Sequence, residues 1–456
     1  MEKLQTREKE NTRSGMGKGR ILALTLPIFV ELLLQMLVGN ADQIMVGYVD
    51  HNGVGAIGNV NQITNLVILV FSVVCTAAMI LISQYLGARD TRRVNQTYTL
   101  SLAANFLFGL AIGGILLTLC PLIFTAMGVP EEIFDKACLY MRIIALGMPL
   151  QALYLTFTAF FRSSQMMKET MVVSVGMNLL NIGGNAVLIY GPGPLPSLGV
   201  AGAAVSSCVS RLIGLVVIAV LFRLKFGPVL SVGHLRPFPR DLLGKLLSIG
   251  IPTAGESISY NLSQVVIQTI CNGFAIYVIN TRVYANMFAM MTYMFASAMS
   301  QATQVVAARL MGAGDVEGTD RQVRATLRAS VLISGAVSVL LFLLSRPLYG
   351  LFTQDEQVLS LAWLIMLIEI PLELGRAVNM VMCRSLQACG DIRFPIAICV
   401  FSAWVTAVGG SLLLGVALGW GLAGLWAAMA ADECLRAGLF IWRWRSGVWS
   451  RKRLLG

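Results

Sequence analysis

The chain has 456 residues, of which 56% are hydrophobic and 12% charged, whereas about 25% charged residues is usual in soluble domains. This composition excludes a soluble globular protein and indicates an integral membrane protein. The net charge of +11 does not require a nucleic-acid partner, because lysines and arginines in the cytoplasmic loops of membrane proteins give the same excess.

The first long apolar run covers residues 24–47 and contains one proline, Pro27, and two carboxylates, Glu31 and Asp42. Roughly 20 apolar residues are enough to span a bilayer, so the run predicts a membrane helix. A charge at that depth costs at least about 2.5 kcal/mol on insertion scales, and the charges that are retained usually face a polar interior. Asp42 is therefore predicted to be a functional residue.

Twelve apolar runs bounded by polar turns follow one another along the chain. The predicted spans are 21–48, 56–85, 96–125, 133–160, 168–190, 199–222, 246–273, 279–308, 324–349, 356–383, 395–416 and 420–442. A polar segment with the helix breakers Gly227 and Pro228 separates the sixth span from the seventh. The predicted domains are a cytoplasmic tail 1–20, a six-helix bundle 21–222, a cytoplasmic linker 223–245, a second six-helix bundle 246–443 and a basic tail 444–456.

The two bundles are predicted to be copies of one another. Pro27 and Glu31 recur as Pro252 and Glu256 at an offset of 225, and 86–90 matches 311–315 at the same offset. The segments 148–150, 162–165 and 199–202 recur at an offset of 222. Five matches in order indicate a tandem duplication. A unit with six crossings repeats in the same orientation, and such parallel repeats are typical of transporters with a substrate site near the membrane midplane.

Most of the 34 lysines and arginines fall in the termini and the even-numbered loops. The other side receives only Lys136, Arg282 and Arg346. By the positive-inside rule, both termini are predicted to be cytoplasmic. The nine cysteines contain no C-x-x-C pair and the two histidines lie in separate loops, so neither a metal centre nor an enzyme is expected.

Several segments resemble the multidrug and toxic compound extrusion (MATE) transporters of bacteria. The resemblance covers nearly all of residues 20–443. It rests on ISQYLGARD at 82–90, YMRIIALGMPLQALYLTFTAFFRSSQ at 140–165, NIGGNAVLIYG at 181–191, LGVAGAAVSS at 198–207 and a first-span pattern. That pattern, P-x-x-x-E followed by D-x-I-x-V-G, consists of Pro27, Glu31, Asp42, Ile44, Val46 and Gly47.

The resemblance implies an all-α membrane protein of 12 helices in two six-helix bundles, arranged as a V. It further implies an antiporter in the plasma membrane that exports organic, often cationic, drugs or metabolites in exchange for H⁺ or Na⁺. No other cofactor and no nucleic acid is implied, and contact with membrane lipid and a monomeric state are expected.

The resemblance also implies the site residues of the first bundle. The family's cation site corresponds to Asp42, Asn181, Asn185 and Ser207, although Asn185 replaces a second acid and Ser207 a threonine. Na⁺ at Asp42, Asn181 and Asn185 remains open, but a single buried carboxylate is equally suited to hold a proton. Pro27 is implied to let the first helix bend.

The second bundle offers weaker candidates. A sister branch of the family carries acids on spans seven and ten, where this chain has Tyr260 and Arg376. Glu31 and Glu256 are predicted to line the substrate cavity, together with Met287, Met291 and Tyr293 of a methionine-rich stretch that is suited to varied ligands. The spacing of Glu373 with Arg376, and of Asp432 or Glu433 with Arg436, is typical of intrahelical ion pairs.

Two other transporter classes remain as alternatives. Major facilitator carriers share the parallel six-helix repeat, but their loop motif is only faintly echoed in GARDTRR at 87–93. Flippases of lipid-linked precursors, from the same superfamily, are expected to line their cavity with many basic residues. The span interiors here offer only Arg142, Arg211, Arg376 and Arg436.

Overall fold

The computed structural model describes residues 18–39, 41–191, 196–452 and 454, and these residues form helices and connecting turns without a strand. Helices dominate because a segment in lipid must satisfy its own backbone N–H and C=O groups, which an α-helix does internally. The all-α architecture predicted from composition is confirmed.

Eight helices cover the six spans predicted in the first half. They are α1 Lys18–Gly39, α2 Ala41–Gly47, α3 His51–Gly87, α4 Thr91–Ala126, α5 Glu131–Leu146, α6 Met148–Ser163, α7 Met167–Tyr190 and α8 Gly199–Phe226. The first span comprises α1 and α2. The fourth span is divided between α5 and α6, which meet at an angle of 49°. Pro149 lies in the first turn of α6, directly after the break between α5 and α6. A proline is tolerated there because the first turn of a helix does not use its backbone N–H groups.

The second half repeats this order. Its helices are α9 Arg240–Asn272, α10 Ile276–Gly312, α11 Val316–Leu343, α12 Ser345–Gly350, α13 Glu356–Ala388, α14 Arg393–Ser402 and α15 Gly421–Arg445. Between α14 and α15 the eleventh span continues as two π-helical stretches, Ala403–Gly409 and Ser411–Ala417.

Repeat-related aspartates begin matching helices in the two halves. The Asp90 side chain accepts a hydrogen bond from the Arg93 backbone N–H at 2.9 Å and begins α4. Asp315 accepts from the Gly318 N–H at 2.7 Å and begins α11. Each carboxylate satisfies a donor that the first turn of a helix leaves free. The duplication seen in the sequence therefore extends to local structure.

Eight spans of the described chain are long and apolar enough to cross a membrane, or nine if the bent pair α5 and α6 counts as one. The helices α9, α10 and α15 cover the other predicted spans but are more polar. The chain is thus a multi-pass membrane protein, and the count of twelve crossings stays a prediction.

Contacts divide the chain into two units. The first unit is Val30–Gly250, and the second contains residues 18–29 together with 251–452. Phe71, Phe124 and Tyr140 lie in the core of the first unit, and Tyr349 and Trp426 in that of the second. This grouping differs from the predicted bundles in two places: residues 21–29 belong to the second unit, and residues 223–250 to the first.

Candidate functional site

Asp42 lies in the first turn of α2, where its carboxylate faces two later helices. The Asn185 side-chain amide donates to Asp42 Oδ1 at 2.5 Å. The Ser207 hydroxyl donates to Asp42 Oδ2 at 3.0 Å. Two residues that the resemblance implied, on α7 and α8, therefore contact the first-span acid directly.

Asn181 lies one helical turn before Asn185 on the same face of α7. Its amide donates to the Ser207 hydroxyl at 3.0 Å, so it reaches Asp42 only through Ser207. The neighbouring Ser206 donates back to the Asn181 carbonyl at 2.9 Å. The structure brings all four implied residues together, with Asp42, Asn185 and Ser207 in direct contact and Asn181 behind them.

Tyr140 is a further contact that is absent from the predicted set. Its hydroxyl donates to Asp42 Oδ2 at 3.2 Å from the buried face of α5. The only signal in the sequence is a tyrosine beside Arg142 in an apolar run, and such a residue is more often part of the core. The Asp42 carboxylate thus receives hydrogen bonds from three neutral side chains on three helices.

Arg211 adds a positive charge near this site. It follows Ser207 by one turn of α8, and its guanidinium interacts electrostatically with Tyr140 and Cys208. Its Nη1 atom is buried and has no hydrogen-bond partner within the described part of the chain. One carboxylate and one guanidinium therefore share a site of otherwise neutral groups.

Glu31 and Glu256, related by the repeat, have different surroundings. Glu31 is buried and forms a salt bridge with Arg162 at 2.8 Å. Glu256 is only partly buried and accepts a hydrogen bond from Gln387 at 3.4 Å. Across the described ranges it forms no salt bridge, although it interacts electrostatically with Arg384, the repeat counterpart of Arg162. Glu256 is therefore the freer of the two.

Two cysteines accompany Glu256. The ligand atoms of Glu256, Cys383 and Cys399 all lie within 4.8 Å of one another, a grouping that the cysteine spacing does not indicate. A structural zinc site uses four ligands, and here the Arg436 guanidinium lies 4.0 Å from the Cys399 sulfur. Three ligands beside a fixed positive charge are a poor fit for a cation.

The predicted methionine-rich surface is exposed on α10. Met287 is 51%, Met291 47% and Tyr293 42% accessible. The nearby Met294 and Met299 are instead buried in the second unit. Pro27 lies inside α1 and does not begin it, so the helix continues past a position that lacks a backbone N–H.

The intrahelical ion pairs predicted in the second half are present, and they are joined into one network. Glu373 pairs with Arg376. Arg436 contacts Asp432 at 2.5 Å and Glu433 at 2.9 Å. Glu433 also lies 3.8 Å from Arg376 and therefore links the two pairs.

Two more members of this network are not apparent from the sequence. Glu369, one turn before Glu373, accepts a hydrogen bond from the Trp426 indole at 2.7 Å. Arg282, expected in an outer loop, is instead buried within α10, with its guanidinium over the Trp426 ring. The cation–π contact and neighbouring Cys271 explain how this arginine is accommodated inside the second unit.

Comparison with known proteins identifies the family. A sequence profile described as MatE matches residues 27–187 and again residues 252–412. The chain belongs to the MATE family. The two matches are offset by 225 residues, the same offset as that between Pro27 and Pro252, so the family's repeat coincides with the internal duplication.

Individual relatives and a solved MATE structure are similar to the chain over nearly its whole length. The chain is 36% identical to "Uncharacterized transporter YisQ" of Bacillus subtilis, with 95% of both chains covered. It is 26% identical to "Probable multidrug resistance protein NorM" of Thermotoga maritima, with 95% of this chain and 94% of that one covered. A crystal structure of MATE in the bent conformation superposes with a TM-score of 0.86 at 20% identity, with 95% and 96% of the chains covered.

Membership in the MATE family decides several of the expectations from sequence. The fold is the two-repeat helical architecture of the family, and the chain is a transporter, not an enzyme. Its relatives include multidrug resistance proteins, and the profile match places the chain in the MATE family and not in the major facilitator family.

Proposed function

We propose that the chain is a secondary active antiporter that exports organic, mainly cationic, small molecules from the cell in exchange for protons. Asp42 is the residue that carries the proton. The observation that supports this proposal is the set of three neutral donors, Tyr140, Asn185 and Ser207, around a single carboxylate. Among the described residues, no second acid contacts Asp42 to share a metal ion.

The surroundings of Asp42 suit both protonation states. Hydrogen bonds from three donors stabilise the ionised carboxylate. The Asn185 Oδ1 atom is buried and has no hydrogen-bond partner in the residues described. When Asp42 is protonated, rotation of the Asn185 amide lets this oxygen accept the new O–H, and the hydroxyl groups of Tyr140 and Ser207 reorient at little cost.

Na⁺ is less suited to this site than a proton. A cation beside Asp42 would lie near the Arg211 guanidinium, and like charges repel strongly where the effective dielectric constant is low. A proton on Asp42 adds no separate ion to be coordinated. Arg211 opposes the added positive charge of either ion, so the preference for H⁺ rests on the single carboxylate, which a proton neutralises directly and which leaves a Na⁺ ion with only one charged ligand.

Proton binding would act on the first span. Asp42 lies on the short helix α2, while its three donors lie on α5, α7 and α8, so a change in protonation alters the bonds that hold the first span to three others. Pro27 weakens the backbone ladder of α1 and is the bending point that this switch requires. Glu256 and the exposed surface of Met287, Met291 and Tyr293 are proposed to contact the substrate.

Reconstituted vesicles test the proposal. An imposed pH gradient, without Na⁺, should drive wild-type protein to concentrate a fluorescent cationic dye against its gradient. Asp42→Asn should bind the dye but accumulate no more of it than vesicles without protein. Glu132→Gln, at an exposed position of α5, is the matched control and should behave as wild type.

Two results would contradict this assignment. Uphill export by Asp42→Asn at the wild-type rate excludes Asp42 as the coupling residue. Wild-type export that requires Na⁺ at a fixed pH gradient excludes the proton but retains the site.

A further inference from the structure

The second unit contains a cluster of buried charged side chains. Four carboxyl groups and three guanidinium groups lie within one connected set of contacts, and each side chain belongs to a residue that is buried or largely buried. The set comprises Glu369, Glu373, Asp432 and Glu433 with Arg282, Arg376 and Arg436. If all seven groups are ionised, the cluster carries one uncompensated negative charge.

Glu369 and Glu373 have the same unusual environment. Each has one oxygen with a strong donor: Glu369 Oε2 accepts from the Trp426 indole, and Glu373 Oε1 faces Arg376. The other oxygen of each, Glu369 Oε1 and Glu373 Oε2, is buried and lacks a hydrogen-bond partner in the described structure. A buried acceptor without a donor costs about 1–3 kcal/mol, and more for a charged group.

The two carboxyl groups are within hydrogen-bonding contact of one another, one turn apart on α13. Two carboxylates in contact in a dry environment cannot both remain ionised, and such a pair retains one proton. A proton held between them would satisfy both unpartnered oxygens. It would also reduce the excess negative charge of the cluster by one, so hydrogen bonding and charge balance both favour a bound proton.

Among the described residues, the helices packed against the pair add no further positive charge that would compensate it. Arg376 and Glu433 interact electrostatically with Glu373, and Tyr349 of α12 does so with Glu369. Tyr260 of α9 faces Arg376, and Arg436 lies over the Tyr260 ring. On α11, residues 329–343 contain no titratable side chain. Beyond Arg436, Glu256 interacts electrostatically with both Arg436 and Arg384, and the positive charge of Arg384 offsets the negative charge of Glu256.

We infer that Glu369 and Glu373 share one proton and form a proton-binding site in the second unit, separate from Asp42. The pair does not occupy the acid positions of the family's sister branch, which are Tyr260 and Arg376 in this chain. Arg376, beside Glu373, keeps 16% of its side chain accessible, so the pair lies one residue from the surface of its unit. This proton is released and rebound during transport, a step that rests on the proposed function.

Infrared spectroscopy tests the shared proton without any transport measurement. Purified Asp42→Asn protein, which removes the other proposed site, should show at neutral pH the carbonyl band of a protonated carboxylic acid, shifted in deuterated water. Adding Glu369→Gln or Glu373→Gln should remove the band, because a glutamine amide donates directly to the remaining carboxylate. Adding Glu356→Gln, at the exposed start of the same helix, should retain it.

Absence of the band from the parent protein would overturn the proton site. So would its persistence in both glutamine variants. If one glutamine variant does not fold, the other still assigns the band.

A second measurement tests the exchange of this proton. The number of protons consumed per dye molecule should fall by one in Glu373→Gln relative to wild type. An unchanged ratio in a variant that has lost the band would show that the proton is static and would overturn the exchange. If wild-type protein shows no proton-driven export at all, the proposed function fails, while the infrared result still decides the site.

Discussion

At the scale of single residues, the two halves of this duplicated chain treat their buried acids in different ways. Asp42 accepts hydrogen bonds from three neutral side chains. Glu31 instead forms a direct ion pair with Arg162. Glu256, the counterpart of Glu31, accepts a 3.4 Å hydrogen bond from Gln387 and interacts electrostatically with Arg384. The duplication supplied the same acid twice, and the two copies have different partners.

We therefore predict that Glu256→Gln weakens export of cationic compounds more than export of neutral ones. An ionised carboxylate attracts a cation strongly where the surroundings exclude water, and glutamine keeps the shape without the charge. Dye-export rates for a matched pair of cationic and neutral substrates measure the effect. Equal losses for the two substrates would assign Glu256 a structural role.

Glu31→Gln should instead reduce stability. Removing one partner of a buried ion pair leaves a desolvated charge and costs up to about 3–5 kcal/mol. Since Arg162 is partly accessible, the lower end of that range is expected. Thermal unfolding in detergent should show a clear drop in Tm, with little change in the preference for cationic substrates. An unaltered Tm would mean that the salt bridge contributes nothing net.

At the scale of helices, two glycines related by the repeat allow close packing at the start of the last span in each half. A Cβ atom on Gly202 would lie 2.5 Å from the Leu188 carbonyl oxygen, and one on Gly424 would lie 2.6 Å from the Gly415 nitrogen. In both cases the obstacle is backbone, which cannot rotate away. Each glycine therefore sets how closely α8 approaches α7 and α15 approaches the π-helical segment.

Gly202→Val and Gly424→Val should each destabilise the protein by about 1–3 kcal/mol or more, because extra side-chain volume forces the helices apart. Gly183→Val and Gly438→Val are the controls, since a Cβ at either position meets no atom within 4 Å. Unfolding temperatures of the four purified variants decide the matter. If the variants at Gly202 and Gly424 match their controls, close approach at these positions is not needed.

The helices also show what the sequence could predict and what it could not. Apolar runs locate the long helices of the described chain, because burial in lipid acts on contiguous segments. The family resemblance implied Asp42, Asn185 and Ser207 as partners. Tyr140 could not be predicted, because its contact with Asp42 depends on how α5 packs. The Glu369–Glu373 contact was likewise hidden, since acids four residues apart do not reveal whether water or protein surrounds them.

The same elements explain where the chain passes between its two units. The boundaries fall after Phe29 and after Gly250, two residues from the repeat-related Pro27 and Pro252. Both prolines lie inside continuous helices, α1 and α9, where a missing N–H weakens the ladder. Within the described residues, each passage of the chain from one unit to the other therefore lies two residues from one of these prolines. This position is consistent with the bending role proposed for Pro27.

At the scale of the whole molecule, the distribution of positive charge predicts the orientation in the membrane. Lysines and arginines concentrate in the termini and the even-numbered loops, so these regions should face the cytoplasm. If each half crosses the membrane six times, as predicted, each half begins and ends on the same side. Suitable reporter positions must be exposed: Thr91 and Ala313 are, whereas Thr319 in the same region is buried.

Single cysteines, introduced after replacement of the nine native ones, should therefore report opposite sides. Cysteines at the exposed positions Asn52 and Ser197 should react with a membrane-impermeant thiol reagent added to intact cells, because the odd-numbered loops are predicted to lie outside. Cysteines at Thr91 and Ala313 should react only after the cells are permeabilised, which also proves that those thiols are accessible. Labelling of Thr91 and Ala313 variants in intact cells, with protection of the other two, would reverse the orientation. It would also reverse the direction in which Asp42 must receive its proton.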